Sequence, residues 1–174
     1  MLGLFQNPLA KISMNELHAA LACDFDFKTK SIYCTLAVSV ANLPSMNDDK
    51  SPSNSLVVLS DPETDSNISC TELHLGNNNA DFHVRLKVPG DISNFKLSVY
   101  HLDVEQFTFQ ECGSLLMDRN ELLTMKPEIY KQYPLELTEI CRDIRKQHPE
   151  EDSEDVVTIS ICCNTKYIDQ IMFN

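Results

Sequence analysis

The residues best able to do chemistry in this sequence are its thiols and imidazoles. Seven cysteines occur, Cys23, Cys34, Cys70, Cys112, Cys141, Cys162 and Cys163, together with five histidines. A structural zinc site draws its ligands from Cys/His pairs a few residues apart. Cys162 and Cys163 are adjacent, and no second pair stands ready to complete them. An odd count without regular spacing, and no signal peptide in Met1 to Ala10, points to reduced thiols in a cytosolic compartment, used as small hydrophobes on strands. The Asn67-Ile68-Ser69 sequon is then incidental, because glycosylation requires a secretory route. There is no Gly-rich phosphate loop, no G-x-S-x-G elbow and no HExxH pair, and the chain has only four glycines. The sequence reads as a non-enzyme that needs no cofactor.

The elements that must carry these residues are strands. Leu17, Ala19, Leu21, Cys23, Phe25 and Phe27 alternate with polar or small residues, and after Lys28-Thr29-Lys30 the pattern resumes at Ile32, Cys34, Leu36, Val38 and Val40. The two runs are expected to pair as a hairpin. A polar loop from Ser45 to Asn54 follows, then a short strand from Ser55 to Leu59 closed by Ser60-Asp61-Pro62. Thr71 to Leu75 is expected as a strand, with Gly76 and three asparagines as a loop behind it. Phe82, Val84, Leu86 and Val88 alternate as another, and Phe95, Leu97 and Val99 as the next. A loop is expected over Leu102 to Cys112, with Gly113 to Met117 opening a further strand. Residues 118–150 suit one or two short helices interrupted by Pro127 and Pro134, although Leu135 to Ile140 fits a strand equally. The acidic run Glu150 to Asp155 reads as a linker or exposed loop, and Val157, Ile159 and Ile161 as a last strand. Seven to nine short strands with regular turn signals indicate an antiparallel sandwich.

Composition narrows the partner. Lys plus Arg number 14 against 26 Asp plus Glu, a formal charge of −12. Such a field repels phosphate, so nucleic acid is excluded as a partner and anionic bilayers are disfavoured. A protein partner remains.

Several phrases resemble C2 domains of the synaptotagmin-like, tandem-C2 family. Ser31-Ile-Tyr-Cys-Thr-Leu-Ala-Val-Ser-Val-Ala-Asn-Leu-Pro44 is similar to the strand that ends in "AxxLP" before the first calcium loop. Glu16 to Phe27 resembles the family's opening strand, and Ser53 to Leu59 stands where it has "SDPYVKVxL". Cys70 to Pro89 is similar to the stretch ending "FxFxVP", Leu97 to Asp103 to "LxxxVYDxD", and Gly113 to the glycine of "DxIG". The resemblance implies an all-β, eight-stranded antiparallel C2 sandwich of type I, synaptotagmin-like topology, with short helical insertions near the C-terminal end. It divides the chain into a lead-in (1–14), a C2 domain (15–147) and an acidic linker or loop (148–155). Residues 156–174 are then either the closing strand of that domain or the truncated start of a second one, since Asp155 to Phe173 is similar to the family's opening strand too.

The resemblance also implies a spent calcium site. Such a site converges roughly five carboxylates from two loops on one cation. Asp48 and Asp103 keep carboxylates at family positions, whereas Asn54, His101 and Gln110 do not. Each amide removes a negative charge, and imidazole is a poor ligand for calcium. The strand that binds phosphoinositides in this family reads Ser66 to His74 here, without one Lys or Arg. Met46, Phe107 and Phe109 fall at loop tips, where they either cap the sandwich or offer apolar surface to a bilayer. Lys126, Lys131, Arg142, Arg145 and Lys146 read as a solvated helix face. The expected function is calcium-independent protein–protein contact in a membrane-trafficking or exocytosis protein, with another C2 domain or trafficking machinery as partner, in the cytoplasm or on the cytosolic face of a membrane. The alternative is phospholipid binding, calcium-dependent or through the loop tips.

Overall fold

The structure, a computed structural model, describes residues 32–90, 92–147 and 156–163. Nine strands and two helices occur among them: β1 (Ile32–Ala41), β2 (Ser55–Asp61), β3 (Ser66–Cys70), β4 (Leu86–Pro89), β5 (Asn94–Asp103), β6 (Thr108–Asp118), α1 (Arg119–Thr124), β7 (Lys131–Pro134), β8 (Glu136–Leu137), α2 (Glu139–Lys146) and β9 (Thr158–Cys163). They form two antiparallel sheets, β4-β1-β9-β7 and β3-β2-β5-β6-β8. The expected fold class, an all-β antiparallel sandwich with short helices near its C-terminal end, is what the chain adopts.

The core follows from period two. Leu36, Val38 and Val40 of β1 and Ile159, Ile161 and Cys163 of β9 point inward from one sheet, Val57 and Leu59 of β2 and Phe95, Leu97 and Val99 of β5 from the other. All of these are 3% exposed or less. β2 is buried on both faces, because Leu56 and Val58 carry a second small cluster covered by Cys70, Leu73, Tyr100 and Phe109. Hence a segment that reads as one apolar run rather than an alternation is an interior strand of its sheet, between β3 and β5.

The hairpin expected between 17–27 and 32–40 rests on residues outside the described ones. β1 has two edges, and β4 takes one and β9 the other, with Leu36 opposite Cys163 and Ala41 opposite Thr158. Residues 17–27 themselves, and the acidic run 150–155, lie outside the described residues, as does Cys23.

Three further boundaries differ from expectation, each for a local reason. The strand expected at 71–75 ends at Cys70, because the Thr71 hydroxyl takes over as acceptor from the Val57 N–H (2.9 Å), leaving a lone bridge between His74 and Ser55. The strand expected from Phe82 begins at Leu86. The Glu72 carboxylate accepts from the N–H groups of His83 (2.8 Å) and Val84 (3.2 Å), drawing that stretch out of the sheet and leaving Val84 48% exposed. The loop expected over 102–112 shrinks to 104–107, because Asp103 Oδ1 accepts from the N–H groups of Glu105 and Gln106 and turns the chain at once. Phe107 sits in the left-handed region there, at φ 57°.

After β6 the chain builds its helical insertions. Asp118 caps α1 by accepting from Asn120 N (2.7 Å), and Thr138 caps α2 by accepting from Cys141 N (3.3 Å). α2 carries Glu139 in its first turn and Arg145 and Lys146 in its last, matching its dipole. The segment 135–140 divides between both readings, two residues of β8 and then α2. β7 lies in a stretch read as helical, since Lys131–Pro134 is too short and polar to show alternation.

Gly113 is where β8 crosses closest to β6. A Cβ there would stand 2.9 Å from the Glu136 carbonyl oxygen and 3.2 Å from a Leu137 methyl. Gly113→Ala should therefore push β8 off β6 and cost about 1–3 kcal/mol, read as a lower urea midpoint at unchanged slope.

Candidate functional site

Three loops meet at one end of the sandwich: residues 42–54 between β1 and β2, 71–85 between β3 and β4, and 104–107 between β5 and β6. Asn54 joins all three. Its side chain accepts from Gly76 N (2.9 Å) in the second loop and donates to the Leu102 carbonyl (3.2 Å) at the base of the third. Its backbone donates to Nδ1 of His101 (3.1 Å) and accepts from Leu102 N (2.8 Å). Asn54 is 4% exposed and His101 2%. Four hydrogen bonds in so little water hold the residue as a peg between the loops.

The asparagines that read only as loop formers extend this peg. Asn78 accepts from Ser53 N (2.8 Å) and donates to Ser45 Oγ (3.0 Å), while Asn79 accepts from Asn42 N (2.9 Å). The Ser53 hydroxyl in turn donates to the Pro44 carbonyl (2.7 Å) and accepts from Met46 N (2.9 Å). Amide side chains can donate and accept at once, which lets an uncharged set cross-link loops. The run Gly76-Asn77-Asn78-Asn79 was the only sequence signal for it.

The other residues singled out by sequence are scattered around this centre. Asp48 is exposed on the first loop, in a cleft of about 190 Å³ shared with Met46, Lys50, Ile144 and Gln147. Asp49 is turned back on its own loop by bonds from Ser51 N and Oγ, which hold its carboxyl below the ordinary range. Asp103 is occupied in the β5–β6 turn. Gln110 stands on β6 opposite His101, not on a loop. Met46 is buried in the core at 7% exposure, and Phe109 lies on β6 against Leu56 and Val58. Of the three expected tips, Phe107 alone occupies a turn, partly exposed.

Two of the oxygens at these positions have partners within the protein: the Asn54 side-chain carbonyl accepts from Gly76 N, and Asp103 Oδ1 accepts from the N–H groups of Glu105 and Gln106. His101 offers nitrogen, and its buried surroundings lower its proton affinity below the ordinary value. Among the described residues, no group of three or more His, Cys, Asp or Glu side chains is placed to hold a metal ion.

Six free cysteines lie among the described residues. Contact with Cys163 and burial push the Cys34 thiol up, contact with Cys141 and burial do the same to Cys112, and burial alone pushes Cys70 up to about 11. The partner thiols move the other way: contact with Cys112 lowers Cys141, and contact with Cys34 lowers Cys163.

No family model matches the sequence, and no curated protein matches it either. Solved structures similar to it include one described as "Structure of a C2 domain", at 14% identity and a TM-score of 0.48, covering 75% of this chain and 96% of that one. A C2 domain of plant Extended Synaptotagmin 1 is similar at 12% identity and a TM-score of 0.48, over 78% of this chain and 97% of that one. Human GIVD cytosolic phospholipase A2 is similar at 16% identity and a TM-score of 0.43, over 78% of this chain and 18% of that one. Likeness at these levels says nothing of what the chain binds. No helix among the described residues is long and apolar enough to cross a membrane.

Proposed function

We propose that this chain is a C2-type interaction module that works without calcium and engages a protein partner on the cytosolic side of a trafficking membrane. Its sandwich runs as one unit from Ile32 to Cys163. The observation that carries the reading is the Asn54 peg. At the position where the family resemblance calls for a metal carboxylate, a buried neutral amide ties the three loops to one another directly. A cation that bridges loops in a calcium-binding relative has no work left to do here. The acidic charge of −12 and the absence of Lys and Arg from β3 favour a protein over an anionic bilayer. Free cysteines in the core suit a reducing compartment. Another C2 domain or a component of the trafficking machinery fits as the partner.

The test is thermal melting with calcium and with chelator. About a millimolar ligand on a micromolar site would add roughly 4 kcal/mol. The expected result is no resolvable shift. A rise of several degrees, lost in Asp103→Asn, overturns the reading. Sedimentation with phosphatidylserine or phosphoinositide vesicles should leave the protein in the supernatant at physiological salt. Retention lost in Phe107→Ser would favour the membrane alternative through its one remaining tip.

A further inference from the structure

Beneath the three loops, the core ends in a row of polar side chains. Ser55 is flanked by a histidine on each edge of β2: His101 opposite it in β5, and His74 opposite it in the lone bridge, where Ser55 N donates to the His74 carbonyl (2.9 Å) and His74 N to that of Ser55 (2.7 Å). Directly opposed residues share a face, and Ser55 shares the face of Val57 and Leu59. Both imidazoles therefore belong to the core side of the sheet, about 4.8 Å to either side of the serine. Ser55 Oγ and His74 Nδ1 are buried without a partner.

The hydrogen bond from Asn54 N to Nδ1 of His101 fixes the protonation state of that ring. A nitrogen that accepts carries no proton, so the imidazole must be neutral with its hydrogen on Nε2. Adding a proton puts two N–H groups face to face where no water can separate them, since His101 is 2% exposed. The bond breaks, and Asn54 is the residue through which all three loops are joined. We propose that His101 is an acid-sensitive latch, which holds the loop end closed when neutral and releases it when protonated while the two sheets remain folded.

The groups that bear on His101 are few. Asp103, two residues on in β5, favours the imidazolium; Gln110, opposite on β6, is uncharged; His74 stands beyond Ser55. Burial outweighs Asp103 and lowers His101 below its ordinary value of 6.5. In the released state the ring is in water and titrates near 6.5, so closure is fully supported above that pH and weakened below it. The opening constant then rises by up to about tenfold by pH 5.5.

Native-state amide exchange on the full chain tests this. The N–H groups of Asn54, Gly76 and Leu102 report the latch, and that of Leu97, mid-strand in β5 between β2 and β6, reports the sheets. Corrected for intrinsic chemistry, the first three should lose three- to tenfold protection between pH 7.0 and 5.5 while Leu97 does not change. His101→Gln should remove the pH dependence. Should that variant fail to fold, Asp103→Asn, which keeps the turn's acceptor but not its charge, should leave the onset near pH 6.5 and deepen the loss below it, because the closed ring then holds a proton less well. Unchanged protection in the parent, the same loss in His101→Gln, a shallower loss in Asp103→Asn, or an equal loss at Leu97 would each overturn the proposal.

Discussion

Deletion of residues 148–174 is expected to abolish cooperative unfolding. β9 lies inside its sheet, between β1 and β7, and carries the inward row Ile159, Ile161 and Cys163 with Val157 just before it, all 0% exposed. At about 1.5–3 kcal/mol for each buried aliphatic side chain, the three aliphatics alone supply about 5–9 kcal/mol. Whole domains of this size hold about 5–15 kcal/mol. The truncated chain would also bare the edges of β1 and β7, which invites aggregation. Circular dichroism melts and solubility decide the matter: a soluble 1–147 fragment with a sharp transition would show that β9 is dispensable. Ile161→Ala in the full chain gives a graded check, at about 2–5 kcal/mol.

Asn54→Asp should be the most damaging single change at the loop end, costing about 3–5 kcal/mol. One carboxylate oxygen can still accept from Gly76 N. The other replaces an amide donor and faces the Leu102 carbonyl, so that two acceptors meet at a 4% exposed position. Asn54→Ala, which loses the bonds without adding a charge, should cost about 1–3 kcal/mol. The new carboxyl would titrate above its unfolded value, because burial disfavours its charged form. Its penalty is therefore full near neutral pH and relieved as pH falls through that raised value, so the gap between variant and parent should narrow on acidification. Urea unfolding at pH 7 and pH 5 measures both parts. Calcium at about a millimolar should not rescue the variant, since His101 still stands on the other side. A rescue of several kcal/mol would show that the oxygens around the peg can hold a cation.

The sequence alone determined the class of fold and the facing of its strands. Alternation at Cys34 to Val40, at Phe95 to Val99 and at Val157 to Ile161 placed the right side chains in the core, because a two-residue period leaves no choice of face once one side is buried. It also marked Asn54 and His101 as residues of interest, through their departure from a family pattern. What it could not determine was pairing. Residues 17–27 and 156–163 carry the same kind of alternation, and both resemble an opening strand, yet β1 has one free edge beyond β4. Only the closed sandwich shows which segment fills it, since a strand's pattern states what face it needs and not which neighbour supplies the ladder. The site was hidden for a related reason. Nothing in the spacing of Asn54, Gly76, His74 and His101 says that they meet, because hydrogen bonds between loops are made by residues with no period in common. The tertiary structure decided that Asn54 should be a peg, by burying it where both ends of its amide find backbone partners.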